Sequence, residues 1–286
     1  MKRIFERAGE ACETKNRIQG KKKIGVVGTG SGAGTTFVAA AIAFYASRKQ
    51  PKHFAAYVQM DGGTGKEKRK TNVYDALGMD RRFLGREFTD FFALLEQGRA
   101  IRGIRNLDDQ INWVLRPPTD YARFGRNAQF CTEIHKERNS ADVMRTQGET
   151  IQLLRLCGAV SGNPVICDFG NGTSCEELFE DMDTMVLVID PMPSKLLGAA
   201  ALFDRLRQMK FCGHDVVFVL NKENNGINRK ELRDFLGRAA DFTIPMLEEA
   251  EFYRAEYNCE IPAARRSIRE KTETVFSELL SRVLTQ

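Results

Sequence analysis

A chain of 286 residues with 42% hydrophobic content can bury one large α/β core without disulfides or metals, and 43 basic against 38 acidic residues leave a net charge of only +5, which favours an anionic partner only weakly and does not by itself point to nucleic acid. No run approaches the roughly 18 apolar residues of a membrane span, and the first residues, MKRIFERAGEACETKNRIQGKKK, lack the apolar centre of a signal peptide, so the expected location is the cytoplasm. Seven cysteines (Cys12, Cys131, Cys157, Cys167, Cys175, Cys212 and Cys259) show no Cys-x-x-Cys or Cys-x-x-His spacing, and His53, His135 and His214 stand apart, which argues against a zinc site, a redox pair or a disulfide scaffold.

Residues 1–21 are expected to be an N-terminal extension and residues 22–286 a single domain. Short apolar runs then alternate with helix patterns: IGVVG (24–28), FAAYVQM (54–60), NWVL (112–115), PVICD (164–168), MVLVI (185–189), DVVFVL (215–220) and DFTI (241–244). Strands covered on both faces read as such unbroken runs, so the expected fold is α/β, a doubly wound and mostly parallel seven-stranded sheet with helices on both faces. Between the second and third runs lies the basic stretch GGTGKEKRKTN. The polar segment 116–145 reads as a surface excursion, and its Arg116, Arg123, Arg126, Lys136, Arg138 and Arg145 with Tyr121, Phe124 and Phe130 suit a protein partner, the aromatics being too irregular for a base-stacking platform. Helix starts are signalled by Ser194, by Asn228 three before Glu231, and by Ser267 three before Glu270. The last helix pattern sets Ile268, Val275, Phe276, Leu279, Leu280, Val283 and Leu284 mainly on one stripe. Its polar face mixes both signs of charge, which favours a docked core helix over an anchor lying on a membrane.

The chemistry concentrates in IGVVGTGSGAGTTFVAAAIAFYASRK, residues 24–49. A strand, a glycine-rich turn and a helix beginning near Thr35 aim backbone N–H groups and the positive end of a helix dipole at one point, which suits an anion. A P-loop spaces Gly, four residues, then Gly-Lys-Ser/Thr; here Gly34-Thr35-Thr36 fills the last three places and Thr29 the first. A turn that binds nothing, and a dinucleotide fingerprint begun by Gly28-x-Gly30 with Ala33 at its third glycine, are the competing readings.

The pattern resembles the MinD/ParA family of dimerising, Mg²⁺-dependent P-loop ATPases, whose loop reads Lys-Gly-Gly-Val-Gly-Lys-Thr-Thr. Gly30-Ser31-Gly32-Ala33-Gly34-Thr35-Thr36-Phe37 lies over it, so Gly30 stands at the signature lysine and Thr35 at the P-loop lysine. YVQMDGG places Asp61 over the aspartate that positions the attacking water, with Gln59 where the family has an acid. VICDFGNG puts Asp168 after the fourth strand and Gly172 over a family glycine. Asn221 and Lys222 of VLNKENN look like the nucleotide-base segment, and the resemblance spans roughly residues 22–262. Loss of the P-loop lysine with a following small-residue helix resembles the TadZ/CpaE branch, which helps place pilus machinery at a cell pole.

The resemblance implies ATP on Thr29, Gly30, Ser31, Gly32, Ala33, Gly34, Thr35, Thr36, Asn221 and Lys222, Mg²⁺ on Thr36 and Asp168, and catalysis by Asp61. It also implies a homodimer, a larger protein assembly as partner, and peripheral contact with the membrane or pole. Hydrolysis is expected to be weak or absent, because a cation on the transferred phosphoryl group is worth about 10³-fold or more in rate. The alternative is an active ATPase whose cations come from Lys66, Lys68, Arg69, Lys70 or a partner. Asn224 ends the segment where a GTPase has a carboxylate, which leans toward adenine or loose base selection.

Overall fold

The computed structural model describes residues 21–49, 53–60, 73–117, 147–171 and 176–285. Among them the strands are β1 (Lys23–Gly28), β2 (Ala55–Gln59), β3 (Leu107–Asp108), β4 (Ile111–Val114), β5 (Val165–Asp168), β6 (Thr184–Ile189), β7 (Asp215–Glu223) and β8 (Phe242–Pro245). The helices are α1 (Thr35–Lys49), α2 (Val73–Ala76), α3 (Met79–Arg82), α4 (Phe91–Glu96), α5 (Gln147–Ala159), α6 (Pro193–Gly198), α7 (Ala200–Phe211), α8 (Arg229–Leu236), α9 (Glu249–Tyr257) and α10 (Arg266–Thr285).

The strands form one sheet in the order β3-β4-β2-β5-β1-β6-β7-β8, parallel throughout except where β3 meets β4. Every one of the seven expected runs is a strand. The eighth, β3, is a two-residue antiparallel edge piece whose length gives it no pattern of its own. β1 lies between β5 and β6: the chain lays down β2 and β4 on one side, returns to insert β5 beside β1, and then runs outward through β6, β7 and β8 on the other. That reversal opens a crevice beyond the carboxyl ends of the central strands, the place where open α/β sheets bind ligands.

Both faces are covered because the central strands are apolar on both. Ile24, Val26, Val186 and Val188 pack toward α1 and α10; Val27, Cys167, Leu187 and Ile189 pack with side chains of α5 and α7. α1 lies deep in the first layer, with eleven of its fifteen residues buried, and its alanines Ala39, Ala40, Ala41, Ala43 and Ala46 let backbone approach sheet closely. α10 places Ile268, Phe276, Leu279, Leu280 and Val283 in that core, and Val275 and Leu284 pack partly buried against it, the docked arrangement its charge pattern favoured.

The start signals fare unevenly. Asn228 caps α8, its side chain accepting from Glu231 N at 3.3 Å. Ser194 does not open its helix: Pro193 holds the first position after Met192, and the expected long helix breaks at Ala199 into α6 and α7. Ser267 is inside α10 and its hydroxyl goes to Glu251 rather than to its own helix end.

Candidate functional site

The turn after β1 is built by exclusion of side chains. A Cβ on Gly28 would lie 2.0 Å from the Thr35 hydroxyl, so glycine is required there and Thr35 is turned back against the strand that precedes it. Thr35 is buried at the first position of α1. Gly34 is in the left-handed region at φ 91°, and a Cβ on it would meet Asn221 Nδ2 at 2.2 Å. Its carbonyl accepts from Val38 N at 3.0 Å, which begins the helix, while Ala33 N donates back to Gly30 O at 3.1 Å. Ser31 and Gly32 form the exposed crest of the turn.

Neighbouring strands brace this loop. Thr29 N donates to Val188 O at 3.0 Å, and the Thr29 hydroxyl accepts from Asp190 N at 3.0 Å. Asn221, near the carboxyl end of β7, donates from Nδ2 to Ala33 O at 2.8 Å. Lys222, held at φ 59°, donates to Gly32 O at 2.5 Å and to Asp190 Oδ2 at 2.9 Å. Lys195 of α6 donates to the same Asp190 oxygen at 2.8 Å. Asp190 is 3% exposed; burial opposes its charge, but the hydrogen bonds from Lys195 and Lys222 prevail and hold its carboxyl below the usual carboxylate range. The two residues expected at the base thus also donate to backbone carbonyls of the loop.

On the other flank, Asp168 ends β5 at 2% exposure. Its Oδ1 accepts from Gly170 N at 3.0 Å and its Oδ2 from the Tyr57 hydroxyl at 2.5 Å. Tyr57 is wholly buried in β2; burial first, then the Asp168 charge, push its phenol well above the ordinary value, against a hydrogen bond from Thr36 that acts the other way. Thr36, Tyr57 and Asp168 therefore form one line of polar groups beneath the helix start. Gln59 accepts from Arg116 N at 3.3 Å.

The left-handed turns and the stripped glycine positions fit a phosphate chain. Thr36 and Asp168 offer the oxygen chemistry that Mg²⁺ takes, through groups already joined by Tyr57; among the described residues no cluster of three or more His, Cys, Asp or Glu is assembled. Beside Lys195 and Lys222 opens a cavity of about 690 Å³, with Pro191, Met192, Leu197, Ile227, Phe235 and Met246 in its lining, within the size range of small-molecule sites. Asp61, Gly172, the basic run 66–70 and the segment from residue 118 to 146 lie outside the described residues.

Sequence reasoning missed Asp190, Lys195 and Tyr57. Asp190 had a signal, since it ends an apolar strand as Asp168 does. Cys157 and Cys167, ten apart in sequence, also meet in the core with sulfurs 3.6 Å apart as free thiols.

No protein-family model matches this sequence, and no curated protein is similar to it. Solved structures are. A putative plasmid partition protein from Borrelia burgdorferi B31, bound to AMPPNP, superposes with TM-score 0.61 at 13% identity, covering 93% of this chain and 98% of that one. MinD in a MinC:MinD cell division complex from Aquifex aeolicus gives 0.60 at 13%, covering 93% and 96%. A ParA family ATPase from Chlorobium tepidum TLS gives 0.59 at 16%, covering 90% and 97%. The eight-stranded sheet with its flanking helices is the α/β fold of the ParA and MinD ATPases.

Proposed function

We propose that this chain is a nucleotide-binding scaffold or localisation factor of the MinD/ParA kind, serving a bacterial assembly of pilus or secretion type, with weak or absent ATP hydrolysis. The observation that carries this reading is the orientation of Thr35. It stands at the P-loop lysine position and faces inward on Gly28, so the loop keeps the form of a phosphate cradle while its own residues bring no cation. The turn from Thr29 to Thr36 would hold the phosphates of ATP, with its base and ribose in the cavity past Lys222, and Thr36 and Asp168 would hold Mg²⁺, whose charge would offset that of the phosphates. Asp61 is assigned the attacking water. The AMPPNP held by the Borrelia partition protein supports ATP as the ligand. Two copies associate through the loop face.

A second reading, a working ATPase, draws support from Lys195 and Lys222 beside the loop. A thermal-shift series with ATP, ADP and GTP, run with Mg²⁺ beside a phosphate-release assay, separates the two. The scaffold raises the unfolding temperature with ATP and releases no phosphate above background. Steady release abolished by Asp61→Ala establishes the ATPase instead, and neither signal removes nucleotide from the account.

A further inference from the structure

We propose that Lys195 is the cation of the phosphate site: held on Asp190 beside Lys222, it meets the polyphosphate of a ligand seated on the loop after β1, in place of the lysines that Gly30 and Thr35 do not provide. This deepens the nucleotide reading and rests on it.

Lys195 comes from outside the loop, in the first turn of α6, yet its amino group reaches the crest. Its Nζ lies 3.6 Å from where a Cβ on Gly32 would stand. Gly32, exposed and left-handed at φ 75°, keeps that approach open. The two lysines differ in how far they are engaged. Lys222 divides its ammonium between Gly32 O and Asp190, so part of its charge is turned to a backbone carbonyl. Among the described residues Lys195 makes one hydrogen bond, to Asp190, and two of its three N–H donors remain for a ligand.

Charge balance favours an incoming anion. Two ammonium groups share one carboxylate oxygen, at 2.8 and 2.9 Å, which leaves a net positive charge at the mouth of the loop. The Lys195 side chain is 27% exposed and its amine stands on the rim of the 690 Å³ cavity, where water screens less than on open surface. A ligand with phosphates on the loop and a ring in the cavity passes both lysines. Asp190 then acts as a positioning residue: it fixes the direction of the Lys195 stem before the ligand arrives, which reduces the ordering left to binding.

The test is calorimetric titration of inorganic triphosphate and of ATP into the wild-type chain, Lys195→Met, Lys195→Arg and, as a control for net charge, Lys210→Met on the exposed end of α7. Lys195→Met is expected to weaken both ligands about tenfold or more, the scale of a hydrogen bond between charged groups; Lys195→Arg keeps most of the affinity and Lys210→Met leaves it unchanged. Should the methionine variant unfold, Lys195→Gln, which keeps a polar end for Asp190, takes its place. Equal binding by wild type and Lys195→Met overturns this inference and leaves the nucleotide reading standing. Equal weakening by Lys210→Met also overturns it, since bulk charge would then suffice. Failure of the wild type to bind either ligand overturns both.

Discussion

At the residue scale the position of Tyr57 couples stability to the phosphate site. Its hydroxyl is fully buried and donates to Asp168 Oδ2 at 2.5 Å, so removing it leaves a buried carboxylate with one donor fewer. Tyr57→Phe is expected to cost about 1–3 kcal/mol in urea unfolding. The pH dependence has a definite sign. Burial and then Asp168 raise the folded phenol well above its ordinary value, so the folded chain keeps a proton that the unfolded chain releases above about pH 10. That contribution is whole below pH 10 and is lost as pH rises further; Tyr57→Phe should lose less stability than wild type between neutral and strongly alkaline pH, and parallel curves would refute the assignment. None of this was legible in FAAYVQM, because in a strand buried on both faces a tyrosine interrupts no alternation. The resemblance likewise gave Thr35 a place in the loop but not a direction, which depends on the space left by Gly28.

At the scale of elements, what the sequence revealed depended on whether a signal was local. Asn228 caps α8 through a bond that begins and ends within four residues, and it was readable. Ser267 carries the same spacing to Glu270, but tertiary structure captures it: Glu251 of α9 accepts from Ser267, from Arg265 at 3.0 Å and from Arg254, and joins α9 to the start of α10. Pro193 sets the start of α6 one residue before Ser194, and α6 passes into α7 at Ala199. The Glu251 junction is measurable. Bonds from Ser267 and then Arg265 lower its carboxyl to about 2. A depressed carboxyl contributes fully above the unfolded value near 4.5 and loses that contribution as pH falls from there toward 2. Glu251→Gln should therefore destabilise the chain at neutral pH and flatten the fall in unfolding temperature across that acid window; an unchanged acid slope would show that the junction titrates elsewhere.

At the scale of the molecule, apolar runs in order were enough to give the doubly wound sheet, since parallel strands covered on both faces need them whatever the loops do. The site was legible only where the loop itself builds it. Asp190 and Lys195 reach it from the β6–α6 junction, whose approach to Gly32 follows from β6 lying next to β1 and could not be known before the strand order was. The same adjacency bears on assembly. Met192, Leu197 and Met246, at 55%, 69% and 50% exposure, stand at the carboxyl edge of the sheet on the side of the loop where β6, α6 and β8 end. An edge that carries a phosphate cradle and exposed apolar side chains is the face through which two copies are proposed to meet, and covering those side chains supplies the apolar contact that charge alone would not. Sedimentation velocity across a concentration series should show reversible dimers, strengthened by ATP because phosphate neutralises the Lys195 and Lys222 charges that otherwise oppose each other across the pair. Leu197→Ser, on an exposed helix position, should shift the midpoint about tenfold or more toward monomer, as expected for the loss of one buried leucine of about 1.5–3 kcal/mol. A single monomer boundary at high concentration, with and without ATP, would separate the phosphate site from any symmetric assembly and leave that edge to a different protein.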